Sequence, residues 1–306
     1  MSVQTFELLI LGSSAATPTV NRNPTSQLLN ISERYFLIDC GEGTQMQMRK
    51  YKTRFQNINH VFISHLHGDH FYGLPGFLAS MHLLGRKNEL TIYGPKELEE
   101  IISMVHKHSD TYLNYPIKFI HTQNTTKQLL FEDDKVEVYS FPLKHRIATT
   151  GFLFKEKPLP RNIDKYKLEK LNVSFAEIHK LKLGLDAIDN NGNTIKNSDL
   201  TLDPPNTRSF AFCSDTKFFE ELANDIKDVD LLYHESTFLE DKKDRAKQTF
   251  HSTAKQAAEM AKKANVKKLI IGHFSARYGN LNEFLEEAMP IFSNTELAIE
   301  GSLFSV

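Results

Sequence analysis

Short β-rich runs alternate with helical patterns through both halves of this 306-residue chain. That alternation predicts an α/β fold of stacked sheets covered by helices, and not a closed barrel. Two further observations agree. The hydrophobic fraction of 40% and the charged fraction of 25% are those of an ordinary globular protein. Polar, chemistry-bearing residues also follow directly after several apolar runs, and sites in layered α/β folds gather at the carboxyl ends of strands.

The elements follow in order. MSVQTFELLILG lacks the basic start and long apolar centre of a signal peptide, so Phe6–Leu11 reads as a first strand. Gln27–Asn30 and Tyr35–Ile38 are strands, and Thr44–Tyr51 has a helical pattern. The strands His60–Ser64 and Leu90–Tyr93 flank a helix, Phe71–Leu84. Pro95 suits the first turn of a helix over Pro95–Tyr112. Ile117–His121, Lys135–Phe141 and Thr150–Phe154 are further strands. After the segment 155–205 come the strand Ser209–Cys213, a helix Thr216–Asn224 and the strand Asp230–Tyr233. A helix Ser252–Lys263, with Ser252 as its N-cap, precedes the strand Lys268–Ile271. The helix Leu281–Phe292 and the strand Glu296–Ala298 end the pattern.

Residues 155–205 break the alternation. Prolines near the ends, short helical pieces and the turn Asn190-Asn191-Gly192-Asn193 mark an inserted arm on a single domain spanning 1–306. From Lys155 to Lys182 the arm carries eight cationic residues against four acidic ones. In a chain of net charge −1 this is a local basic excess, and it reads equally well as a solvated helical surface. No apolar run reaches the roughly 20 residues a membrane span needs. Cys40 and Cys213 give no disulfide framework, so a reducing cytoplasm is expected and burial at strand ends is their expected role.

The chemistry concentrates in His65-Leu66-His67-Gly68-Asp69-His70, directly after Val61-Phe62-Ile63. Imidazole and carboxylate donors without thiolate suit zinc or a similar divalent ion. His65 and His67 can face one side of an extended segment, while Asp69 and His70, past the glycine, turn toward a second position. His145, Asp215 and His273 each follow a strand. Taken singly, each reads as a turn or capping residue. Taken together, they complete two sites: His65, His67 and His145 for one ion, Asp69, His70 and His273 for a second, with Asp215 bridging. Two ions about 3.5–4 Å apart can share a hydroxide and neutralise attacking and leaving oxygens, which makes phosphorus the natural electrophile.

These residues also carry a resemblance. The hexamer His65–His70 is similar to the metallo-β-lactamase-fold signature. Leu37-Ile-Asp-Cys-Gly-Glu-Gly-Thr-Gln45 resembles, more narrowly, the ribonuclease Z family of tRNA 3′-end endonucleases. Arg22–Ser26, Pro142–Arg146, His234–Thr237 and Phe250–Ser252 agree, so the likeness runs from Leu9 to about Phe274. It implies a four-layer αββα sandwich of the metallo-β-lactamase type with an inserted arm, two zinc ions per subunit at the seven positions above, and a homodimer. It implies cleavage of precursor tRNA after the discriminator nucleotide, leaving a 3′-hydroxyl on the tRNA and a 5′-phosphate on the trailer. Asp39 then supports the metal loop without being a ligand, and Asp69 is also the general base. His251, oriented by Glu235, steadies the scissile phosphate and protonates the leaving 3′-oxygen.

The resemblance further implies that the arm of one subunit clasps tRNA bound by the other. The candidate contacts are Lys155, Lys157, Arg161, Lys165, Lys167 and Lys170, and salt then weakens binding steeply. The chain departs from the family pattern at Ser214, where a glycine often precedes the aspartate. It departs again at Val173–Ile178, which stands where a Gly-Pro-rich tip is expected. Two rival readings share the core: a phosphodiesterase acting on small diesters, and a non-catalytic binding protein. Phe71 and Tyr72 either line the mouth of the site or pack beneath it.

Overall fold

A computed structural model describes residues 4–169, 171 and 173–306. It divides into two compact units, one running to Lys155 and resuming over Arg208–Val306, the other Glu156–Thr207.

The larger unit is built on two seven-stranded mixed sheets. The first has the order Leu303–Ser305, Phe6–Gly12, Ser26–Ile31, Arg34–Cys40, Ile58–Phe62, Leu90–Gly94, Ile117–His121. Its first four strands pair antiparallel and its last four parallel, with Arg34–Cys40 common to both sets. The second has the order Thr295–Leu297, Lys268–Gly272, Leu231–Glu235, Ser209–Cys213, Thr149–Glu156, Val136–Leu143, Gln128–Glu132. There the first four strands are parallel.

Three apolar layers hold the sheets and helices together. Between the sheets, Phe36 and Phe62 of one meet Phe152, Phe154, Phe210 and Phe212 of the other. Outside the first sheet, the helices Thr44–Lys50, Leu74–Leu83 and Glu97–His108 bury Met48, Leu78 and Ile102. Outside the second, Ala254–Lys263 and Asn282–Ala288 bury Ala257, Ala261 and Phe284. The result is the expected αββα sandwich. Strands covered on both faces are buried along their whole length, as in Leu90–Gly94, where every residue is buried.

Local chemistry moves several helix boundaries from where the sequence places them. The helix expected over Phe71–Leu84 is two pieces, Gly68–Phe71 and Leu74–Leu83. The Gly73 N–H donates to the Cys40 carbonyl, and Pro75 has no N–H to continue the first helix. The helix expected from Pro95 begins at Glu97 and ends at His108, where Asp110 adopts a left-handed conformation. Thr216–Asn224 is helical only over Leu222–Asp225, and the Thr216 and Lys217 N–H groups ahead of it are held by Glu235 and the Lys144 carbonyl. The N-cap of Ala254–Lys263 is Thr253, in a capping box with Gln256, and not Ser252. Ser252 donates instead to the Thr216 carbonyl. The strand Gln128–Glu132 was not legible because its polar ends and edge position leave it only partly buried.

The smaller unit, Glu156–Thr207, has its own core of Leu181, Ala187 and Leu200, with Leu168, Leu171, Val173 and Ile195 packed around it. Asn162–Ile163 pairs with Thr201–Leu202. The Asn190–Asn193 turn joins Ala187–Ile188 to Thr194–Ile195, with Gly192 at φ 86°. Asp164 caps the helix Lys165–Leu168, and Ser174 caps Phe175–Lys182, so the segment Val173–Ile178 is the start of a helix. Lys170 lies outside the described residues.

Phe154 reaches across the sheet interface, with ring centroids 5.3 Å from Phe36 and 5.4 Å from Phe62, and stacks 6.0 Å from Phe210 of its own sheet. Phe154→Ala is expected to destabilise the protein by about 3–5 kcal/mol. The drop is read from the midpoint of denaturant unfolding, and an unchanged midpoint would contradict this account of the core.

Candidate metal centre

The strands that carry the candidate ligands end on the same side of the two sheets, and their side chains converge. His65 and His67 follow Ile58–Phe62, with Asp69 and His70 in the turn Gly68–Phe71. Gly41 makes room for this loop, since a Cβ there would lie 2.5 Å from the Asp69 carbonyl oxygen. From the second sheet, His145 follows Val136–Leu143, Asp215 follows Ser209–Cys213, and His273 follows Lys268–Gly272.

Two donor sets result. His65 Nε2 is 3.0 Å from His67 Nδ1 and 3.5 Å from Asp215 Oδ2. His145 Nε2 is 3.2 Å from His67 Nδ1 and 3.6 Å from the same Asp215 oxygen. In the second set, Asp69 Oδ2 is 3.4 Å from both His70 Nε2 and His273 Nε2. Asp215 Oδ1 is 3.3 Å from His70 Nε2 and 3.1 Å from His273 Nε2. Asp215 therefore turns one oxygen to each set. Around zinc bound at 2.0–2.1 Å, tetrahedron edges are about 3.3 Å, so both sets fit a divalent ion. Buried Nε2 atoms of His70 and His273 without a hydrogen-bond partner point the same way.

The imidazoles are oriented from behind. His70 Nδ1 lies 2.7 Å from the Asp39 carboxylate, His145 Nδ1 donates to the Phe250 carbonyl at 2.9 Å, and His273 Nδ1 meets Thr237 Oγ1 at 2.8 Å. His65 Nδ1 meets Ser64 Oγ at 3.0 Å, and that hydroxyl donates to Asp39 at 2.9 Å. Each contact places the proton on Nδ1 and leaves Nε2 to the site. His67 differs: its Nδ1 faces the site and its Nε2 stands 3.4 Å from the Arg146 guanidinium. The Ala16 N–H donates to Asp69 Oδ2 at 2.7 Å.

Two fully buried carboxylates anchor this shell, one from each sheet. Asp39 accepts from Ser64 N at 2.8 Å as well as from Ser64 Oγ and His70. Glu235 Oε1 accepts from Thr216 N, Ser252 N and His251 Nδ1, at 3.0, 3.1 and 2.9 Å. Its Oε2 accepts from the Thr237 N–H and hydroxyl at 2.9 and 2.8 Å.

Electrostatics separates the histidines. Burial pushes His65 down to about 3 and also lowers His67 and His145, keeping them neutral as ligands must be. Burial opposes charge on His70 too, but Asp69, Asp215 and Asp39 outweigh it and raise its pKa well above the ordinary value. Asp69 and Asp215 are held far below the carboxylate range, against burial, by the surrounding imidazoles. The centre thus concentrates buried negative charge that a cation would neutralise. His251 Nε2 is 4.0 Å from Asp215 Oδ2, and with Asp215 and His273 it forms a third group of close donors. Despite burial, Glu235 and Asp215 raise it to about 9, so it carries a proton.

The ten core residues singled out in the sequence therefore stand together: the seven donors with Asp39, Glu235 and His251. Ser64, Thr237, Ala16 and the Phe250 carbonyl were missed; the last two act through backbone groups that no side-chain pattern reveals. The centre opens into a cavity of about 620 Å³. Tyr72 is exposed at its mouth, while Phe71 packs beneath. Arg146, Arg245 and Arg277 line the same cavity. Among the candidate arm cations, Arg161 is bonded to Thr201 and Asp203 within the smaller unit. Cys40 and Cys213 are free and buried, and burial pushes the Cys40 thiol up to about 12.

Comparison with known proteins agrees with this geometry. Residues 6–157 match the family described as anti-Pycsar protein Apyc1, and 164–274 the beta-lactamase superfamily domain. The chain is 50% identical over 302 residues to the ribonuclease Z of Cytophaga hutchinsonii, covering 98% of this chain and 96% of that one. It is 45% identical to the ribonuclease Z of Parabacteroides distasonis, covering 98% and 99%. The crystal structure of human tRNase Z, short form, superposes with a TM-score of 0.71 at 27% identity, covering 98% and 99%.

Asp39→Asn replaces one acceptor oxygen by an amide nitrogen that cannot accept from Ser64 or His70. Divalent-ion affinity is expected to fall roughly 10- to 100-fold, measured by competition with a fluorescent zinc chelator. Unchanged affinity would contradict the orienting role of Asp39.

Proposed function

The chain belongs to the ribonuclease Z family of metal-dependent tRNA 3′-processing endoribonucleases, and from that premise we propose how this molecule cuts. The cut falls after the discriminator nucleotide of precursor tRNA, leaving a tRNA 3′-hydroxyl and a trailer 5′-phosphate. The observation that supports this reading is the double donor set bridged by Asp215, faced by His251 with its Nδ1 on Glu235. Two divalent ions held there, zinc by the chemistry of their nitrogen and oxygen donors, supply Lewis acidity that makes a water nucleophilic and neutralises phosphoryl charge.

The chain's own residues handle the protons and the orientation. Asp69 stays ionised and accepts the proton of the attacking water. One of its oxygens is pinned by the Ala16 N–H, which keeps the carboxylate from rotating away. His251 uses Nδ1 to hold Glu235, so its Nε2 presents the proton to the leaving 3′-oxygen. Arg146, Arg245 and Arg277 give the cavity the positive lining that a phosphodiester strand needs. The arm, residues 155–205, is the second hold on tRNA, and the active form is a homodimer. A reducing cytoplasm is the compartment that suits two free, buried cysteines. No helix among the described residues is long and apolar enough to cross a membrane.

Incubating labelled precursor tRNA with the purified protein tests the reading. One cut after the discriminator is expected, abolished by a chelator and lost in His65→Ala and Asp69→Ala. Cleavage that survives chelation would remove the metal mechanism, and hydrolysis of small diesters without tRNA cleavage would favour the rival phosphodiesterase.

The proton donor adds a pH prediction. His251 is charged below its raised pKa of about 9 and loses its proton above it, so kcat/KM falls on the alkaline side. Cations neutralising Asp215 draw that limb down, and Glu235→Gln is expected to draw it further toward neutrality. A limb unmoved by Glu235→Gln would show that the titrating donor is not His251.

A further inference from the structure

The unit Glu156–Thr207 is not basic as a whole. Its eight Lys and Arg residues are matched by eight Asp and Glu, because Asp186, Asp189, Asp199 and Asp203 offset the excess of its first half. Several cations are also engaged locally. Arg161 is bonded to Asp203, Lys180 lies 2.7 Å from Glu177, and Lys167 lies 3.8 Å from Asp164. A polyanion meets little net charge here.

What the unit offers instead is exposed apolar surface. It holds six of the nineteen exposed large apolar side chains among the described residues. Two are aromatic. Tyr166, 84% exposed, stands on the helix Lys165–Leu168 between Lys165 and Lys167. Phe175, 88% exposed, opens the helix Phe175–Lys182. Neither belongs to the unit's core, which is closed by Leu181, Ala187 and Leu200 with their aliphatic neighbours. Both rings sit on helices whose Asp164 and Ser174 caps hold the backbone in place. Flat rings on capped helices match what an unstacked nucleobase requires: a π-face to cover it.

We propose that Tyr166 and Phe175 are stacking platforms for unstacked bases of the RNA substrate, and that this unit holds RNA by stacking and not by net charge. The proposal rests on the ribonuclease reading and deepens it. It also reverses the expectation that salt acts through the arm: little of the salt dependence of binding then comes from this unit.

Binding of labelled precursor tRNA to the full-length protein, in chelator so that nothing is cut, tests it. Phe175→Ala and Tyr166→Ala are each expected to raise Kd about tenfold, the loss of one stacked base. The salt slope stays unchanged in both, and Phe175→Trp binds like wild type. The double variant Lys165→Ala/Lys167→Ala is expected to cost less than either aromatic change. With metal restored, kcat at saturating tRNA and hydrolysis of bis(p-nitrophenyl) phosphate stay unchanged in the aromatic variants. Wild-type affinity in both aromatic variants, or a larger loss in the lysine variant, overturns the proposal. Unchanged RNA binding with loss of a sedimenting dimer assigns these rings to a protein contact and overturns it too. A wild-type protein that hydrolyses the small diester but neither binds nor cuts precursor tRNA instead sinks the ribonuclease reading itself.

Discussion

A carboxylate removed from water is costly unless donors surround it, and two such groups organise this molecule. Asp39 ends a strand of one sheet and gathers Ser64 and His70. Glu235 ends a strand of the other and gathers Thr216, Thr237, His251 and Ser252. Every loop that bears a candidate ligand from the second sheet is tied, directly or through one neighbour, to Glu235. The His145 loop is reached through Phe250, beside His251, and His273 is reached through Thr237. The hydrogen bonds that make burial of these carboxylates tolerable are the same ones that aim the imidazoles.

This arrangement accounts for backbone conformations that are otherwise unfavourable. Asp39, His273, Phe250 and Ala16 all adopt positive φ, at 54°, 61°, 59° and 61°. Each is a non-glycine residue where the chain must turn sharply at the end of a strand or loop, and such strain clusters at functional sites. The turns point Asp39 and His273 toward the centre, and bring the Phe250 carbonyl and Ala16 N–H to His145 and Asp69. Stability in the inter-sheet phenylalanine layer supports this strain without involving the site itself.

Much of this was legible in the residues, for reasons that differ by element. The parallel strands Ser209–Cys213, Leu231–Glu235 and Lys268–Gly272 stood out because burial on both faces leaves polar residues only toward their ends. The ligands were visible because imidazoles and carboxylates at strand ends have few bland uses when several occur together. The helix assigned from Thr216 is only the short turn Leu222–Asp225, because Thr216 and Lys217 are tied to Glu235 and Lys144, long-range contacts that local pattern cannot show. Thr253 displaced Ser252 as N-cap for the same reason, since the Ser252 hydroxyl is needed at Thr216. The charge of the arm is divided along its length. Its basic first half is explicit in sequence, while the balancing aspartates lie in the second half and join it only through folding, as Asp203 joins Arg161.

The central claim is that Asp215 couples two complete donor sets, so the folded chain takes up two ions and not one. Equilibrium dialysis of the full-length protein against zinc, with bound metal counted by atomic emission, tests this most directly. Two ions per chain, both removed by chelator, are predicted. A plateau at one ion per chain, or at none, would contradict the account.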